Sequence, residues 1–268
     1  MSILLLTKLL IVPTFILLVS LAGRRWGPFI SGLLSGLPVI AGPITFFLAV
    51  EQGEAFAVAS AHSTLLGITA LTSFCFIYGW LAQFWHWSLT LITGWSCYFL
   101  ISYGIANITL DPSISIVPAL LCIGLFTHFT PNKRREQLST EVSAREIVLR
   151  MSCAAALVFS VTQFATALGP IYSGIFAAFP VAASVLAVFT HASYSGHHAR
   201  ALLRGVMFGL ISLSSFYYAI SLLAPHFGFY SAFYGAIAIV LLLQGANYAV
   251  FLCIKKSTTH ALNLRASE

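Results

Sequence analysis

His62 stands in the apolar run "ASAHSTLLG", and Glu51 and Glu54 flank the turn "EQG" just before it. Imidazole titrates near neutral pH. A carboxylate at a membrane mouth that passes a proton to a histidine below it is the chemistry this spacing offers. Counted from a helix start near residue 55, His62 lies roughly 10 Å in at 1.5 Å per residue. Ionisable groups at such depth are costly and mark function by default. The plainer alternative is a packed histidine bonded to a helix carbonyl, with both glutamates solvated in a loop.

A second set of residues suits binding of a small polar solute. Ser31, Ser173 and Ser184 supply hydroxyls within apolar runs, and Gly36, Pro38 and Pro180 interrupt those runs. Proline removes a backbone N–H bond and clashes with the preceding turn. In lipid, freed backbone must face protein or a wet cavity. Gln244 and Asn247 are three apart and share a helix face. They line the same cavity or, as Gln163 also can, hydrogen-bond between helices. Small residues with proline kinks also suit ordinary close packing.

Other polar residues read more plainly. Lys8 and Arg150 begin apolar runs and suit snorkelling at the membrane edge, and Arg204 either snorkels or holds an anionic group. The histidines of "HASYSGHHAR" (His191, His197, His198) lack the H-E-x-x-H spacing of helical zinc sites, and no cysteine lies nearby. No metal site, cofactor or catalytic residue is assigned. No phosphate-binding P-loop appears, nor a G-x-S-G nucleophile pattern with a partner base. The expectation is that the chain is not an enzyme.

These residues need elements that hold them in a bilayer. Only 7% of the 268 residues are charged and 59% are hydrophobic, with mean hydropathy +0.94. A soluble domain carries about 25% charged residues, so an integral membrane protein is expected. The net charge of +6 sits in short clusters that read as topology signals and not as a nucleic-acid surface. Five cysteines lie in or beside apolar stretches without a C-x-x-C pair and read as free thiols. The first apolar run has no basic residues ahead of it and no clear cleavage site, so it reads as a retained span.

A bilayer core needs about 20 apolar residues per helix. Nine segments qualify, at 3–23, 28–50, 55–81, 86–107, 112–129, 147–168, 170–193, 199–224 and 228–254. Arg24 and Arg25, Lys133 to Arg135, Arg200 with Arg204, and Lys255 with Lys256 then fall on one side. Positive loops mark the cytoplasm. The expected localisation is therefore a multi-pass protein of the cell membrane (the inner membrane in a bacterium), N-terminus outside and C-terminus cytoplasmic.

The stretch "GPFISGLLSGLP" at 27–38 recurs as "GPIYSGIFAAFP" at 169–180, a shift of 142 that carries Gly27 onto Gly169. The same shift carries Pro38 onto Pro180, Gly67 onto Gly209 and Ser73-Phe74 onto Ser215-Phe216. An odd number of spans separates the copies, so the second copy is inverted. The expected fold is all-α: a polytopic membrane bundle of about nine helices in two four-helix inverted-topology repeats. The repeats cover 1–108 and 147–254, joined by a linking span and loop at 109–146 and followed by a tail at 255–268. The second copy has Ala178 where the first has Gly36, so its helix is expected only to kink. Inverted repeats recur in secondary transporters, with the solute near mid-depth. The function expected is transport of a small solute by alternating access. The substrate-binding set is Ser31, Gly36, Pro38, Ser173, Pro180, Ser184, Gln244 and Asn247, and the proton-coupling set is His62, Glu51 and Glu54. The alternatives are a non-transporting assembly subunit, a channel, or an intramembrane enzyme. The partners implied are a small-molecule solute and the lipid bilayer, with no nucleic acid and with room for a homo-oligomer.

Overall fold

The computed structural model describes residues 3–106, 111–129, 142–168 and 178–244, with the side chains of 3–8, 106 and 161–168 excepted. These residues are helical almost throughout, without a strand. In chain order they form α1 (Ile3–Trp26), α2 (Pro28–Ser35), α3 (Ala41–Gln52), α4 (Glu54–Leu81) and α5 (Trp87–Ala106). Then follow α6 (Ile116–Phe129), α7 (Ala144–Leu168), α8 (Val181–Ser193), α9 (Gly196–Phe227) and α10 (Phe229–Gln244).

Three of the joints are a single glycine. Gly27 (φ 88°) links α1 to α2, Gly53 (φ 90°) links α3 to α4, and Gly228 (φ 78°) links α9 to α10. With ψ between 160° and 169° all three occupy a region that only glycine enters cheaply. Pro28 follows at the first position of α2, where its missing N–H costs nothing.

Four stretches among the described residues are long and apolar enough to cross a bilayer: Leu9–Trp26, Glu54–Leu81, Trp87–Ile105 and Gly196–Phe227. Apolar helices over 116–129, 181–193 and 229–244 are shorter. The outer face carries large apolar side chains, with Leu10 69%, Leu100 73% and Leu242 74% exposed. Inward, hydroxyls close back on their own helix: Thr45 donates to the Ala41 carbonyl, Thr64 to Ser60 and Thr72 to Ile68. An apolar outside, with many of the inner hydroxyls satisfied by their own helices, is the arrangement of a membrane-embedded protein.

The bundle is built around α4 and α9, which are its most buried long helices. They pack antiparallel: Gly79 near the end of α4 lies against Arg200 near the start of α9, and Glu54 at the start of α4 bonds to Phe229 just past the end of α9. Helix α1 packs on α7, also antiparallel, since Gly23 and Arg150 border one cleft. Helix α2 runs parallel to α9 and makes its widest contact there. The two halves of the chain are therefore interleaved and not side by side.

The glycines of α2 explain that contact. A Cβ on Gly32 would stand 1.8 Å from the Leu202 carbonyl oxygen, and one on Gly36 would stand 2.7 Å from the Gly209 Cα. Reciprocally, a Cβ on Gly205 would stand 2.0 Å from the Phe29 oxygen and one on Gly209 would stand 2.4 Å from the Leu33 oxygen. Two glycine pairs four apart let the backbones touch, as membrane helices do when no side chain intervenes.

Of the second run of the duplicated motif, residues 178–180 are described: they are non-helical, and Pro180 (φ −72°, ψ 52°) stands ahead of α8 as its N-cap. Residues 169–177, on which the expected kink depends, lie outside the described residues. The first run is open over 36–40, as expected from Gly36 and Pro38.

Candidate functional site

The non-helical stretches at 36–40 and 178–180 are each followed by a helical arm, α3 after the first and α8 after the second. Both arms are tied to the rest of the bundle in the same manner. Thr45 of α3 lies 3.4 Å from the Tyr217 hydroxyl of α9. Ser184 of α8 accepts the indole N–H of Trp95 from α5 at 2.9 Å. Aromatic packing reinforces both ties. Phe46 meets Tyr230 and Phe233 of α10, with centroids 5.9 and 5.5 Å apart. Phe179 meets Trp95 and Tyr98 at 5.6 and 5.3 Å. Edge and tilted contacts of this kind add a little beyond burial.

Pro38 and Pro180 sit in the two non-helical stretches. Most of the other residues expected to bind solute are engaged within the protein. Ser31 is buried and donates to the Val19 carbonyl at 3.0 Å, Gly36 is sealed against Gly209, and Ser184 holds Trp95. Gln244 donates to the Ser212 hydroxyl at 2.6 Å, which is the interhelical alternative for that residue. Ser173 and Asn247 lie outside the described residues.

The proton-coupling set divides in two. Glu54 accepts the Phe229 backbone N–H at 3.2 Å and so caps the exposed start of α10, where a carboxylate is favoured. Glu51 is half-buried at the end of α3. His62 is half-buried on α4, and its Nδ1 is shielded from solvent without a hydrogen-bond partner. It acts electrostatically on Asp111, just ahead of α6. The Ser113 backbone N–H, donating at 2.8 Å, holds the Asp111 carboxyl below the usual carboxylate range, and the His62 imidazole adds to that effect. The small influence of His62 on Asp111 is one that spacing along the chain does not reveal.

Sequence reasoning also misplaced Arg150. It does not snorkel: it is 2% exposed. Its Nε donates to Glu146 Oε1 at 3.1 Å, its Nη2 donates to the same oxygen, and its guanidinium lies 5.7 Å from the Phe189 ring. The available signal was Glu146 itself, one helical turn before Arg150. A cleft of about 10 Å³ opens beside this pair, bordered by Ser20, Gly23, Ser31, Arg150, Thr190 and Leu202. It lies at the end of the bundle that carries Arg24, Arg25 and Arg200.

Among the described residues no three His, Cys, Asp or Glu side chains come together in a way that could hold a metal ion. The chain matches no protein-family model, no curated protein and no solved structure.

Proposed function

We propose that the chain is a secondary transporter of a small solute, built from two four-helix inverted repeats in a nine-span bundle. The observation that carries the reading is the pair of non-helical stretches at 36–40 and 178–180, which hold prolines 142 positions apart. Breaks at matching points in two copies are what a site at a repeat interface requires. The antiparallel packing of α1 on α7 and of α4 on α9 supports inversion, because each pair is related by the same shift. A further support is that α3 meets α10 as α8 meets α5, so each arm contacts the last helix of the other copy. In this reading the breaks expose backbone at the solute site, His62 exchanges protons with Asp111, and the N-terminus lies outside the cell.

The moving units are not residues 1–108 against 147–254. The glycine contact joins α2 of one copy to α9 of the other, so these two helices travel together. Transport by rocking therefore has its sliding surfaces elsewhere, between the arms and the α4–α9 centre.

Uptake by purified protein in sealed vesicles, screened over solute classes with and without a pH gradient, tests this reading. Saturable flux that falls at least tenfold in Pro38→Ala/Pro180→Ala, and loses its pH dependence in His62→Ala, supports it. A second reading, a non-transporting assembly subunit, is favoured by the dry contact between α2 and α9. Intact protein that moves no solute of any class, whatever the gradient, would install that reading instead.

A further inference from the structure

The cleft beside Arg150 holds the two features an anion site needs. The first is a buried cation with donors to spare. Arg150 offers five N–H groups in a planar fork, and Glu146 takes Nε and one N–H of Nη2 on a single oxygen. Arg150 itself borders the cleft. The second is a hydroxyl with nothing to bond. Ser20 is 1% exposed, borders the same cleft, and its Oγ has no hydrogen-bond partner. A buried hydroxyl without a partner is costly, and natural proteins keep few of them.

We infer that this cleft binds a small monovalent anion of halide size, held between the free edge of the Arg150 guanidinium and the Ser20 hydroxyl. Size sets the class. A space of about 10 Å³ for the centres of water-sized spheres favours a single-atom ion over a carboxylate or phosphate. Charge sets the sign. Arg150 is the cleft's basic residue, and Glu146 balances it from one side only. Gly23 keeps the entrance narrow yet open: a Cβ there would stand 3.0 Å from the Ser31 Cβ. The Thr190 hydroxyl completes the polar wall, and Leu202 closes the apolar side. Ser31, whose proton goes to Val19, does not donate to the anion.

This inference stands apart from transport. A bound halide can be a fixed structural ion in a protein that carries nothing, and a carrier of another solute can retain the site.

The test uses the full chain, purified in detergent with gluconate as the sole anion, and reads thermal unfolding as chloride or bromide replaces gluconate at constant ionic strength. The result expected is a saturable rise in melting temperature with halide and none with sulfate. Ser20→Ala removes the unbonded hydroxyl without adding volume, so it folds at least as well as the parent, and its apparent halide affinity falls about tenfold. Glu146→Gln keeps the shape and removes the competing carboxylate, so its affinity rises about tenfold. Arg150→Lys keeps a charge but loses the fork and binds more weakly. The idea is overturned by a parent protein indifferent to halide, or by a halide response that Ser20→Ala and Glu146→Gln both leave unchanged. In either event the cleft holds water alone.

Discussion

Helix α2 meets two neighbours in opposite ways. Toward α9 it presents Gly32 and Gly36 and leaves no room for a single methyl group. Near its start it presents Ser31 to a polar cleft that has room for one small guest. Seven or eight residues thus carry a surface that locks and a surface that stays open. The difference shows what the repeated motif does. Its glycines fix where α2 sits, and its serine and proline shape what lies beside it. The helix is not weakened for a cavity along its whole length, because most of its glycines are occupied in tight packing.

The comparison can be broken most severely on the locked side. Gly32→Leu or Gly205→Leu drives a side chain into backbone that cannot retreat, and the expected loss is about 3 kcal/mol or more, read as a collapse in folded yield or melting temperature. On the open side, Arg150→Leu leaves the half-buried Glu146 without its cation and is expected to cost about 2 kcal/mol. Arg150→Leu/Glu146→Leu should recover most of that loss. Recovery separates a charge effect from a packing effect, and a double variant as unstable as the single would place the cost in packing. A smaller effect is expected at the second arm. Trp95→Phe removes the donor to Ser184 while keeping a ring in place, for about 1 kcal/mol. The smallest effect sharpens the contrast among glycines. Gly42 has nothing within 4 Å of its notional Cβ, so Gly42→Ala should be neutral or stabilising by up to about 1 kcal/mol. The glycine-specific explanation of the α2–α9 contact fails if Gly42→Ala and Gly32→Ala have the same melting temperature.

Much of this was legible because the relevant physics is local. Charge scarcity and span length point to a membrane bundle, and Pro38 with Gly36 marks the first break. Gly27 before Pro28 marks a sharp joint. The α2–α9 contact was written in the sequence as Gly32 with Gly36 and Gly205 with Gly209, each pair four apart. That spacing signals close approach, but it does not say which helix is approached. Arg150 was unreadable for a related reason. A basic residue near a span end gives its depth but not its direction, and snorkelling and burial share that depth. Trp95 with Ser184 is a pairing across a long stretch of chain, which only the fold brings together.

The single-glycine joints have a mechanical consequence. Rods pinned end to end by one swivel have no slack. Whatever α1 does must be passed to α2 through the torsions of Gly27, and the same holds at Gly53 and Gly228. Each joint couples its two rods like an elbow. The protein can flex there, but it tolerates no added length, so a reporter or protease site is better grafted into the turn after Leu81 than at any of the three swivels.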